Sequence, residues 1–138
     1  MSFIIKENID INQQLGELLN EHRLASRHEI TNEAVEHFTF ALYDNEQLIG
    51  GLTAKMRLSE FYISLLAVTT EYRGQGLGKT LIQVAEDKAK ELACQHILLT
   101  TYSYQGVDFY PAVGFAELTR ITDYPSQGVD KVYFIKYL

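Results

Sequence analysis

The stretch Leu65-Leu66-Ala67-Val68-Thr69-Thr70-Glu71-Tyr72-Arg73-Gly74-Gln75-Gly76-Leu77-Gly78-Lys79-Thr80-Leu81 decides how this chain folds. An apolar, strand-like run stops at Val68, a short polar link follows, and three glycines then stand at alternate positions before a helix-period pattern. Strand, glycine-rich turn and helix together build an anion site. Glycines let the main chain approach a ligand closely and turn several N–H groups toward one point. The helix that follows directs its unpaired N-terminal donors and the positive end of its dipole at the same place. A pyrophosphate suits such a cradle.

Three phosphate-loop patterns compete for these residues. A Walker A loop reads G-x-x-x-x-G-K-S/T; Gly78-Lys79-Thr80 fits its end, but Arg73 stands where its first glycine belongs. A dinucleotide-binding turn reads G-x-G-x-x-G; Gly74-Gln75-Gly76 fits its start, but Lys79 stands where its last glycine belongs. The third pattern, Q/R-x-x-G-x-G/A, is matched in full by Arg73-Gly74-Gln75-Gly76-Leu77-Gly78. That pattern is the coenzyme A pyrophosphate loop of the GNAT superfamily of N-acetyltransferases, which the chain resembles. A second stretch, Phe109-Tyr110-Pro111-Ala112-Val113-Gly114-Phe115, is similar to the superfamily's Phe/Leu-Tyr-x-x-x-Gly-Phe segment, and the separation suits one long helix and one strand. The resemblance runs from about Ile63 to Phe115. Two positions depart from it: Thr70 stands where the link usually carries proline, and Ser103 stands where asparagine often contacts the pantetheine arm.

Composition bounds the rest. With 138 residues, 46% hydrophobic and 22% charged, the chain reads as a single globular domain over 1–138. It contains no apolar run long enough to span a membrane, and its start lacks the pattern of a secretory signal. The lone Cys94 excludes an internal disulfide, which suits a cytoplasmic protein, and its place at the end of a helical pattern makes it a small apolar filler. A net charge of −6 without clustered Lys and Arg argues against nucleic acid and favours a cationic acceptor such as a free amine. The histidines show no metal-ligand spacing, so no metal is expected. A homodimer is possible, but no residue pattern specifies the oligomer.

Periodicity places short strands at Phe3–Lys6 and His37–Tyr43, a turn at Asp44-Asn45-Glu46, a returning strand at Leu48–Arg57 with a bulge at Gly50-Gly51, and a strand at Glu60–Val68. Helices are expected at Ile11–Ala25, capped by Asp10, and at Leu77–Ala93. Glu29–Glu36 reads as loop or a short helix. In the second helix Leu77, Leu81, Val84, Ala85, Lys88 and Leu92 fall on one side, while Glu86 and Lys90 pair on the other. Strands at His96–Thr101, Phe115–Ile121 and Val132–Tyr137 and a short helix at Gln105–Val113, bent by Pro111, complete the order. A strand–helix–strand passage around the glycine loop demands a parallel pair. The expected fold is therefore α/β (α+β): a mixed, mostly antiparallel sheet of six to seven strands flanked by helices. The resemblance adds a splayed parallel pair that admits the coenzyme.

The resemblance also implies a chemistry, acetyl transfer from acetyl-CoA to a primary amine by direct attack in a ternary complex. The backbone of Arg73, Gly74, Gln75, Gly76, Leu77, Gly78 and Lys79 would hold the pyrophosphate, with Arg73 and Lys79 placed to add charge. The main chain at Leu66 and Val68 would contact the acetyl carbonyl and the pantetheine arm, and Ser103 would take the asparagine's place. Tyr110 is the candidate acid for the departing thiolate, since a phenol near pKa 10 is roughly matched to it. Relatives often carry a glutamate near the positions of Ser64 and Leu65; this chain does not. Glu60, four residues from Ser64 on one strand, is the leading carboxylate for the base, with Asp108, Asp123, His37 or water as alternatives. Tyr62, Tyr102, Tyr104, Tyr124, Tyr133 and Tyr137 are available for an aromatic acceptor pocket, with Tyr62 and Tyr102 foremost. Two alternatives remain beside an enzyme acting on a small amine: a coenzyme A-binding module without catalysis, and an enzyme acting on a protein or peptide amine. A nucleotide-binding P-loop protein would need a later strand ending in Asp for Mg²⁺; His96–Thr101 ends in two threonines.

Overall fold

The computed structural model describes residues 3–26 and 34–138. The chain divides into two compact units, Met1–Asn32 and Glu33–Leu138. The first contains helix α1 (Asn12–Ala25). Asp10 lies one residue outside the N-cap Ile11, and its Oδ1 accepts the N–H of Asn12. The expected strand at Phe3–Lys6 does not form: the segment has no regular structure, and Phe3, Ile4 and Ile5 are exposed. A strand needs a partner for its backbone groups, and among the described residues this one has none. Most of Glu29–Glu36 lies outside the described residues.

The second unit holds β1 (Glu36–Asp44), β2 (Gln47–Arg57), β3 (Glu60–Val68), a single 3₁₀ turn at Thr70–Tyr72, α2 (Leu77–Glu91), β4 (His96–Tyr102), α3 (Phe109–Ala112), β5 (Ala116–Ile121) and β6 (Lys131–Tyr137). One six-stranded sheet runs in the order β1-β2-β3-β4-β6-β5. Every neighbouring pair is antiparallel except β3–β4, the pair joined through α2. This is the mixed sheet that the strand–loop–helix–strand order requires.

The sheet's inward face carries Leu52, Ala54, Phe61, Ile63, Ile97, Leu99, Val132 and Phe134, and α2 covers it with Leu81, Ile82, Ala85 and Ala89. Burying a side chain such as Phe61 stabilises the fold by about 1.5–3 kcal/mol. The buried stripe of α2 is rotated from the one its periodicity suggests. Val84 is exposed and Lys88 pairs with Glu91 at 3.3 Å. Glu86, expected on the solvent side with Lys90, is buried. Cys94 is buried against Met56, its Sγ 3.4 Å from Sδ, and desolvation pushes its thiol pKa up.

Two irregularities shape β2 and β3. In the β1–β2 ladder Ile49 is the extra residue beside Gly50. In the β2–β3 ladder Thr53 pairs Leu65 and Ala54 pairs Ile63, so Ser64 is extra. One extra residue reverses the alternation of a strand. Before the bulge Phe61 and Ile63 face the core; after it Leu66 and Val68 do, and Ser64 and Leu65 are both exposed. Among the described residues, no helix is long and apolar enough to cross a membrane.

Candidate active site

The parallel ladder between β3 and β4 is short. Phe61 pairs Ile97 and Tyr62 pairs Leu98, after which β3 runs on to Val68 and β4 to Tyr102 without further pairing. The extra residue Ser64 falls just where the strands part. A bulge bends its strand, so it accounts for the divergence locally. Between the splayed ends lies a cavity of about 850 Å³, walled by Ile63–Val68 of β3, Leu99–Thr101 of β4, the glycine loop, and Phe109 and Tyr110 of α3. That volume falls in the range of pockets that enclose a small-molecule ligand.

Leu66 and Val68 present their backbone to this cavity. The N–H of Thr69 donates to Ile49 O on β2 at 2.8 Å. Backbone groups alternate between the two edges of a strand, so the N–H groups of Leu66 and Val68 point away from β2, toward the gap that β4 has left. Val68 O, on that same edge, accepts from Arg73 Nε at 3.2 Å. The Arg73 side chain thus reaches back to β3 instead of extending from the loop.

The glycine loop leaves its backbone open beside the cavity. Gly74 and Gly76 both have φ +78, in the region that side chains strain to enter, and both face open space. Gly76 is the N-cap of α2, and no side chain caps that end. The first helical bond is Thr80 N–H to Gly76 O at 3.0 Å, so the N–H groups from Gly74 to Lys79 have no carbonyl partner among the described residues. Tyr72 anchors the loop by donating to Asp44 at the end of β1. Gly78 packs against α3, where an added Cβ would stand 3.2 Å from the Phe109 ring. Arg73 and Lys79 line the cavity and bring positive charge to its wall. The residues present therefore fit a pyrophosphate. Among the described residues no group of three or more His, Cys, Asp or Glu gathers in a way that could hold a metal.

Tyr110 lines the same cavity, half-buried. Its ring packs edge-on against Phe109 and Phe115, at 5.2 and 5.9 Å, and tilted against Phe134 at 5.4 Å. Desolvation pushes its phenol pKa above the ordinary 10.0. The group keeps its proton across the neutral range.

Other sequence candidates lie apart. Glu60 begins β3 opposite Arg57, exposed and outside the cavity, because the lining starts only at Ile63. The bulge also disrupts the shared face that was expected to link Glu60 with Ser64. His37, Asp108 and Asp123 do not line the cavity either, and Asp123 Oδ1 accepts the N–H of Gly128. Ser103 is outside the lining: its N–H donates to Asp130 O and its hydroxyl accepts the N–H of Asp130, at 2.8 and 2.9 Å. It pins the loop before β6. Gln75 belongs to the loop but not to the cavity wall. Of the tyrosines, Tyr104 alone joins Tyr72 and Tyr110 in the lining. Tyr62 instead bonds Thr100 at 3.1 Å and carries Lys55 over its ring, and Tyr102 stacks on Tyr104.

The sequence reading missed Lys136 and gave Glu86 the wrong partner. Lys136 donates from Nζ to Glu86 on α2 and to Val113 O, the latter at 2.8 Å. A signal existed: Lys136 continues the inward alternation of Val132 and Phe134, and Glu86 stands next to Ala85 on the face that buries Ile82 and Ala89.

A splayed parallel pair, a bare glycine loop at a helix start and a tyrosine meet in one cavity, an arrangement suited to acyl transfer. The chain matches the family described as Acetyltransferase (GNAT) family over residues 8–118 and belongs to it. It is 33% identical over 107 residues to N-alpha-acetyltransferase 30 of Schizosaccharomyces pombe, covering 72% of this chain and 71% of that protein. It is 34% identical over 101 residues to blasticidin-S acetyltransferase of Streptomyces morookaense, covering 72% and 74%. Its fold superposes with a TM-score of 0.78 on an acetyltransferase from Bacillus cereus ATCC 14579, at 26% identity over 99% of this chain and 98% of the other.

Proposed function

We propose that the protein transfers the acetyl group of acetyl-CoA to a primary amine of a small molecule, by direct attack within a ternary complex. The observation that carries this reading is the cavity itself, where cradle, free strand edge and phenol converge. Bound acetyl-CoA would supply an activated thioester. Unpaired N–H groups of Gly74 to Lys79 would hold its pyrophosphate, with charge from Arg73 and Lys79. The N–H groups of Leu66 and Val68 would receive the oxygen charge that develops as the carbonyl is attacked. Tyr110 would give its proton to the leaving thiolate. Among the described residues, the ionisable side chains in the lining are Tyr72, Arg73, Lys79, Tyr104 and Tyr110. The amine's proton therefore leaves through water. A net charge of −6 favours a cationic acceptor.

A second reading, acetylation of a peptide α-amine, is favoured by the likeness to an N-alpha-acetyltransferase. Its chemistry suits a cavity wall without carboxylate or imidazole among the described residues. An α-amine has pKa near 8 and is partly neutral at pH 7, whereas an alkylamine near 10 is almost wholly protonated. The test is acetyl-CoA consumption against polyamines, aminoglycosides, amino acids and peptides, with product mass measured. A small amine gaining one acetyl group supports the first reading, and acetylation of peptides alone supports the second. Tight coenzyme A binding with no acceptor acetylated would leave a binding module and refute both.

A further inference from the structure

We infer that Lys136 and Glu86 form a positioning pair for Tyr110, in which the half-buried ammonium fixes the turn after α3 and so aims the phenol into the cavity. This rests on the role proposed for Tyr110. Helix α3 has four residues, too few to hold a shape by its own hydrogen bonds. Its hold comes from the turn that follows. Val113 N–H and Phe115 N–H both donate to Tyr110 O, at 3.1 and 3.0 Å. Val113 O accepts from Lys136 Nζ at 2.8 Å, and the same ammonium lies 5.9 Å from the centre of the Phe115 ring, one of the rings against which Tyr110 packs.

The sequence makes room for this contact. Gly114 has φ +99, and a Cβ there would stand 2.9 Å from both Cε and Nζ of Lys136. The ammonium crosses close over Gly114, where a side chain would have to push it aside. At its other side stands Glu86, 6% exposed, on the helix that starts with the coenzyme loop. One ion pair thus ties the helix of the pyrophosphate cradle to the turn of the acid. Stability alone does not account for it, because well-packed apolar residues commonly replace a buried ion pair without loss. An apolar pair cannot donate to Val113 O.

The test uses Glu86→Leu/Lys136→Met, which removes both charges together and leaves neither stranded. Melting temperature, kcat and coenzyme A affinity are measured in the wild-type and Tyr110→Phe backgrounds. The double variant should keep its fold and its coenzyme affinity, while kcat falls about ten- to a hundred-fold, the scale of a small misplacement of a reacting group. In the Tyr110→Phe background it should lower kcat no further, because the group it positions is gone. A purely structural pair would not show that dependence. If the apolar pair does not fold, Glu86→Gln/Lys136→Met removes the charges with less change of shape and carries the same comparison. An unchanged kcat in the folded double variant overturns the inference, as does a loss that adds fully to that of Tyr110→Phe. If Tyr110→Phe alone keeps wild-type turnover, the acid role fails and this inference with it, which separates the two failures.

Discussion

Replacing Gly76 by valine tests the cradle where its geometry is most demanding. Gly76 has φ +78, ends the loop as the N-cap of α2, lines the cavity and faces open space. A side chain in left-handed geometry costs about 1–2 kcal/mol, and a β-branched one is a marked outlier there. The substituted loop has two outcomes. It either keeps its shape and projects two methyl groups into the pyrophosphate position, or relaxes and turns its N–H groups away. Each charge-assisted bond lost costs about 1.5–3 kcal/mol, so a net loss of about 2–4 kcal/mol is expected. At about 1.4 kcal/mol per tenfold, this weakens coenzyme A binding about 30- to 800-fold. Titration calorimetry with coenzyme A measures it, with a thermal melt to show that the protein is folded. Gly128→Val is the control. Gly128 has φ +82 and also faces open space, but lies in the β5–β6 loop outside the cavity. It should carry a similar backbone strain and leave coenzyme affinity intact. Wild-type affinity in a folded Gly76→Val variant would refute the cradle. Equal losses in both variants would assign the effect to general destabilisation.

Tyr110→Phe should lower kcat by about 10²-fold or more while coenzyme A affinity stays near wild type, since only the hydroxyl is removed. The pH profile has a definite sign: burial raises the phenol pKa above 10.0, and the acid form is the active one, so the limb due to Tyr110 should fall only as pH climbs beyond that value. A Tyr110→Phe enzyme that retains such a limb would remove Tyr110 as its source. Glu60→Gln, at the exposed start of β3, should leave the acidic limb of the kcat profile in place; a variant that loses that limb would restore Glu60 as the base.

The local features of this protein were legible along the chain. The loop from Arg73 to Lys79 could be read because its demands are local: glycine spacing, a strand before it and a helix after it. The parallel β3–β4 pair followed from the same order, since a strand, a covering helix and a strand leave few other ways to pair. The Phe109–Phe115 segment placed Tyr110 in the site through its resemblance to a family pattern. What composition and periodicity could not show were contacts between distant segments. The bulge at Ser64 is a property of the β2–β3 register, and it decides where the strands part and which residues of β3 face the core. It also breaks the shared face that spacing alone suggested for Glu60 and Ser64, and Glu60, at the start of β3, lies before the cavity wall begins at Ile63. Glu86 read as half of a surface pair with Lys90 because an i,i+4 rule sees one helix at a time. Its partner is Lys136, fifty residues later on β6. Only the packing of α2 on the sheet brings the two charges together, and a carboxylate withdrawn from water, as Glu86 is, needs such a partner.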